Sequence, residues 1–90
     1  MTEPRDHRIK RLAMRAMRRG IKEMDLILPP FAATHLPGAD DAALDLFEAF
    51  LAENDHDLYN WISGITPPPD AYAALVAQIA QGAVGVVRPA

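Results

Sequence analysis

Few side chains in this 90-residue chain could do acid–base, metal or nucleophile chemistry. The three histidines are His7, His35 and His56. None has a partner at the spacing that puts two imidazoles on one helix face, so no metal site is read from them. Each falls near a helix end or a loop and reads as a surface residue. Asp55-His56-Asp57 would attract a cation weakly and reads better as the N-cap cluster of a helix. Ser63 is the single serine, and no G-x-S-x-G or other nucleophile signature surrounds it. Gly82-Ala83-Val84-Gly85 has neither a strand before it nor a helix after it, so it is no phosphate loop. Catalysis by this chain is not expected. What remains is recognition through charge and surface.

Charge is distributed very unevenly. Residues 1–22 hold eight of the nine Lys/Arg against Glu3 and Asp6, a balance of +6, whereas residues 23–90 hold ten acids and only Arg88, a balance of −9. The net −3 conceals this division. A chain so divided is built for electrostatic docking, either onto itself or onto a partner.

The elements that must position these charges are helices. Ile9, Leu12, Ala13, Ala16 and Met17 recur at helical spacing over Arg5–Arg19, the apolar stripe of a first helix. Gly20 follows its basic last turn and reads as the C-cap, since glycine takes the left-handed conformation without steric cost. A second helix opens at Ile21–Lys22 with Glu23 and Asp25 in its first turn. Pro29-Pro30 is expected to end or kink it, because proline lacks the N–H and crowds the preceding turn. Phe31-Ala32-Ala33 would add a further turn before a loop over Thr34–Ala39. A third helix spans Asp40–Glu53, capped by Asp40 or Asp41, with Leu44, Phe47 and Leu51 buried beside Leu46 and Phe50. Asn54-Asp55 breaks it. A fourth runs from His56 to Ser63, with Leu58, Tyr59, Trp61 and Ile62, and Gly64 stops it. Thr66–Asp70 is a stiff connector and helix start. The fifth helix continues to Gln81 with Tyr72, Leu75, Val76, Ile79 and Ala83 on one face, and the tail Gly82–Ala90 is expected to be loose. No stretch alternates with period two, so the fold class is all-α, a compact bundle of about five short helices in a single domain over residues 1–90. With 50% apolar residues a core is feasible, and with no cysteine neither a disulfide nor a thiolate metal ligand can reinforce it.

Helix one is the best case for nucleic acid, whose binding would be phosphate neutralisation. Against that, the rest of the chain is acidic, no aromatic accompanies the arginines for stacking, and the later helices are not basic recognition helices. A basic-helix nucleic-acid-binding or regulatory domain is therefore the alternative reading. The apolar face of helix one is mostly Ala and Met, too modest for a lipid anchor, and no run approaches the ~20 apolar residues of a membrane span. Trp61 reads as a core anchor. An interface role would require its indole edge to be exposed.

Two segments are more specific than these patterns. R-R-G-I-K-E-M-D-L-I-L at residues 18–28 and D-L-Y-N-W-I at 57–62 together resemble the succinate dehydrogenase assembly factors, also called flavinators or FAD assembly factors. Their signature is R-G-x-x-E, continued by x-D and aliphatic residues, with D-L-x-x-W some thirty residues on. Arg19, Gly20 and Glu23 match the first part, Asp25 its continuation, and Asp57, Leu58 and Trp61 the second, so the resemblance covers residues 8–80. It implies a helical, chaperone-like protein. Such a protein would bind the flavoprotein subunit of succinate dehydrogenase, and in some bacteria that of fumarate reductase, and promote covalent attachment of FAD there. It implies no cofactor of its own, FAD belonging to the client, and a partner-contact surface of Arg19, Gly20 and Glu23, with Asp25 and Trp61 beside them. Pro29-Pro30 departs from the pattern and would shorten helix two, and the Pro67–Pro69 connector is stiffer than expected. Residues 5–22 are Arg-rich as a mitochondrial presequence is, but with Glu3 and Asp6 among them they read as part of the domain. The expected location is therefore the bacterial cytoplasm, and the expected state of the free protein is a monomer.

Overall fold

The computed structural model describes residues 3–83, which form helices and turns with no strand among them. Five α-helices run in order: α1 Arg5–Arg15, α2 Lys22–His35, α3 Asp41–Leu51, α4 Asp55–Ser63 and α5 Ala73–Gly82. Single 3₁₀ turns, Leu36–Gly38 and Asp70–Tyr72, precede α3 and α5. The all-α expectation holds.

One core collects the apolar stripes. Leu12 and Ala16 from the α1 side, Met24, Ile27 and Leu28 of α2, Leu44, Phe47, Phe50 and Leu51 of α3, Leu58 of α4 and Ile79 of α5 are all buried. Phe31 and Phe47 pack at 5.8 Å, and Phe50, Trp61 and Tyr72 form a second aromatic group with centroids 5.4–6.2 Å apart. The Tyr72 hydroxyl donates to Glu53 at 3.0 Å, and burial, reinforced by that carboxylate, pushes its ionisation above the usual range. Asp40 caps α3 by accepting from the Ala43 N–H at 2.8 Å, and Gly64 ends α4 in the left-handed region at φ 84°.

Three expectations need correction. Helix one stops at Arg15, four residues early, and Gly20 is not its cap: the residue at left-handed φ in this turn is Arg18, at 56°. Helix two is not shortened at Pro29-Pro30 but continues through both to His35. Each internal proline costs roughly 3 kcal/mol. Met24, Ile27 and Leu28 before the pair and Phe31 and Ala32 after it are buried in the same core and tie both halves of the helix down. Asn54, not the Asp55–Asp57 cluster, caps α4, accepting from the His56 N–H at 2.8 Å. At the far end, α5 runs through Gly82 and Ala83 is buried; the rest of the expected loose tail lies outside the described residues. Of the histidines, His7 and His56 are exposed, but His35 is half-buried, stacked on Phe31 at 4.3 Å and 3.3 Å from the Gln78 amide.

Candidate protein-binding site

The charge-divided chain docks onto itself first. Along α1, Arg5 pairs with Asp41 at 3.8 Å, Arg8 with Asp45 and with Glu48 at 3.1 Å, and Arg11 with Glu48 at 3.1 Å and Glu3 at 3.0 Å. The Arg5 guanidinium also donates to the Ala39 carbonyl. Hydrogen bonding to Arg11 holds the carboxyls of Glu3 and Glu48 below the usual carboxylate range, and those same acids raise Arg11 in turn. This ladder ties α1 to α3.

That turn, residues 16–21, carries the R-G pair. The Arg19 guanidinium points inward. Its Nε donates to Asp55 Oδ1 at 2.7 Å, its Nη2 to the Leu51 carbonyl at 3.0 Å and its Nη1 to the Arg15 carbonyl at 3.1 Å. The Gly20 N–H donates to the other oxygen of the same carboxylate, Asp55 Oδ2, at 2.7 Å. The Arg19 N–H donates to Asp25 Oδ1 at 2.6 Å. Asp55 therefore holds one residue by its side chain and the next by its backbone, while Asp25 of α2 holds the turn from the other side.

This explains why residue 20 is a glycine. A Cβ built there would stand 3.0 Å from Asp55 Oδ2, and that oxygen cannot retreat without releasing the Gly20 N–H. Close approach of the backbone to a carboxylate, rather than a left-handed φ, is what disfavours a side chain here, since the carboxylate would have to give by a few tenths of an ångström. Arg18 takes the left-handed conformation instead, one residue earlier, which lets the chain leave α1 and brings Arg19 under α4.

Of the five expected contact residues, the structure brings Arg19, Gly20 and Asp25 into one network. Glu23 lies half-buried in the first turn of α2, where a carboxylate suits the helix dipole. Trp61 belongs elsewhere: six residues after Asp55, it is about 9 Å further along α4 by helical rise, half-buried, with Phe50 and Tyr72 as its aromatic neighbours. Trp61 thus packs against the core while part of its side chain stays at the surface. Asp55 was missed, having been read as a helix breaker and cap. Its opposite charge to Arg19 was visible in the sequence, but nothing local marked the two as partners across 36 positions.

Fold and site define a class first: a small all-α domain organised around a braced, exposed backbone turn. A family model described as flavinator of succinate dehydrogenase matches residues 10–83, and the chain belongs to that family. It is 38% identical over 73 residues to the mitochondrial succinate dehydrogenase assembly factor 2 of Meyerozyma guilliermondii, covering 78% of this chain and 54% of that protein. The protein of that name from Saccharomyces cerevisiae is 36% identical over 74 residues, with 79% and 46% covered. The one from Drosophila grimshawi is 33% identical over 72 residues, with 78% and 49% covered. The chain thus spans about half the length of these relatives. Their names correct one expectation. They are mitochondrial factors of eukaryotes, at odds with a bacterial cytoplasmic location. The acidic Glu3 that argued against an organellar segment is the ion-pair partner of Arg11 and carries no information about compartment.

Proposed function

We propose that this protein is an assembly factor that binds the flavoprotein subunit of succinate dehydrogenase and promotes covalent attachment of FAD to it. The observation that carries this reading is the turn at Arg19-Gly20, where a backbone without a side chain is held at the surface by Asp55 and Asp25, inside the segment the family model matches. A braced turn loses little entropy on binding, so it can favour one conformation of a client over others. The protein acts as a monomer without chemistry of its own; FAD belongs to the client, and fumarate reductase is a second client. Arg19, Gly20, Glu23 and Asp25 form or support the contact surface, with Trp61 steadying α4 behind it. The nucleic-acid reading loses ground because Arg5, Arg8 and Arg11 are already matched by Asp41, Asp45, Glu48 and Glu3.

The test is in-gel flavin fluorescence of the purified flavoprotein subunit, incubated with FAD in the presence and absence of this protein. Covalent flavin should rise in its presence. An unchanged signal refutes the reading.

A further inference from the structure

We propose that the outward edge of the α1–α2 junction, with Arg18 and Lys22 as its charges and Met14 and Met17 as its apolar contacts, is a docking surface for an acidic segment of the client protein. This rests on the assembly-factor reading and says where, and by what chemistry, the client is held.

The inward half of the turn cannot supply the charge. Arg19 spends its guanidinium on Asp55, Leu51 and Arg15 within the chain. Arg5, Arg8 and Arg11 are spent on α3 and Glu3. Among the described residues, Lys10, Arg15, Arg18 and Lys22 have no ion-pair partner, and all four are exposed. A run of unmatched cations on a chain of net charge −3 is matched by a segment that brings its own carboxylates.

Apolar surface accompanies them. Met14 is 66% exposed and Met17 49%. Met14 lies in the last turn of α1 and Met17 just beyond its end, and the Met17 N–H bonds to the Met14 carbonyl at 3.1 Å, which keeps the two within one turn of each other. Methionine is flexible and polarisable, and packs against partners of varied shape. Backbone strain adds an independent observation. Arg18 is the one non-glycine at positive φ among the described residues, where an L-residue is disfavoured and glycine is not. The turn needs that conformation, but glycine would supply it at less cost, so an exposed, unpaired arginine there leaves a cation for a partner.

The occupant is a protein segment carrying carboxylates beside an apolar side chain. Titration calorimetry of the full chain with the purified flavoprotein subunit is the test, using the double charge reversal Arg18→Glu/Lys22→Glu and, separately, Arg18→Gly. The reversal should weaken binding at least about tenfold at low salt, with a smaller loss at high salt. Arg18→Gly should raise the melting temperature yet weaken binding several-fold, a split that a purely structural arginine would not give. Affinity within about twofold of wild type for both variants overturns the proposal while leaving the assembly-factor reading intact. Absence of binding by the wild type overturns both. Client binding that survives reversal, together with reversal-sensitive self-association or sedimentation with phosphatidylglycerol vesicles, reassigns the surface and overturns the proposal as well.

Discussion

Two sets of ion pairs organise the N-terminal third of this protein, and they differ in kind. Along α1 and α3 the pairs are numerous and their outer acids are wet: Asp41 and Asp45 have side chains 91% and 70% exposed, while Glu48, shared by Arg8 and Arg11, is half-buried. At the junction with α4 the described residues show one pair, Arg19 with Asp55, whose side chains are only 13% and 21% exposed. The ladder can lose an outer rung, because water solvates Asp41 or Asp45 when it is left behind, and exposed pairs are each worth about 0–1 kcal/mol. The junction cannot, because removing Asp55 leaves a shielded guanidinium unpaired and takes the acceptor from the Gly20 N–H at the same time. Number of ion pairs is therefore a poor guide to which region holds the candidate site in shape.

The comparison can be broken most directly at Asp55. Asp55→Ala should cost about 3 kcal/mol in urea or thermal unfolding and also loosen the turn, seen as lost hydrogen-exchange protection at the Gly20 amide. A cost below that of one ladder pair would reverse the ranking. Gly20→Ala comes next, at about 1–2 kcal/mol, since its Cβ meets a carboxylate that is held in place. Stability equal to wild type would show that Asp55 gives way easily. Glu48→Gln, which removes the acid shared by Arg8 and Arg11, should cost no more than about 1 kcal/mol, and less in high salt. Arg5→Ala should fall within about 0.5 kcal/mol of wild type.

Acid separates the two regions in another way. Glu3 and Glu48 titrate below the usual carboxylate range because they accept from Arg11. Their contribution is complete above the unfolded value of about 4.3 and is lost as pH falls through their lower folded values. Melting temperature measured from neutral to strongly acidic pH should therefore fall within that window, and Glu48→Gln should blunt the fall. An unchanged profile in the variant would place the acid sensitivity elsewhere.

The fold was legible where local patterns agree with burial. The stripe Leu44, Phe47, Leu51 with Phe50 marked α3, Asp40 marked its start and Gly64 the end of α4, and all appear as expected. Pro29-Pro30 misled because the proline penalty is local whereas the burial that outweighs it comes from residues on both sides packing into one core. Gly20 misled for the opposite reason. A glycine after basic residues satisfies the local rule for a helix cap, but its neighbour in space is a carboxylate 35 positions later.

By itself the sequence determined the all-α class, the positions of most helices, the divided charge and the R-G-x-x-E and D-L-x-x-W segments that place the chain in its family, because periodicity, capping and motif are properties of near neighbours. Only the tertiary structure decided that helix one ends at Arg15, that Arg18 rather than Gly20 takes the left-handed turn, and that Asp55 secures Arg19 and Gly20 together. Those outcomes depend on which distant group comes within hydrogen-bond reach, and that is settled only when α4 packs against the start of α2.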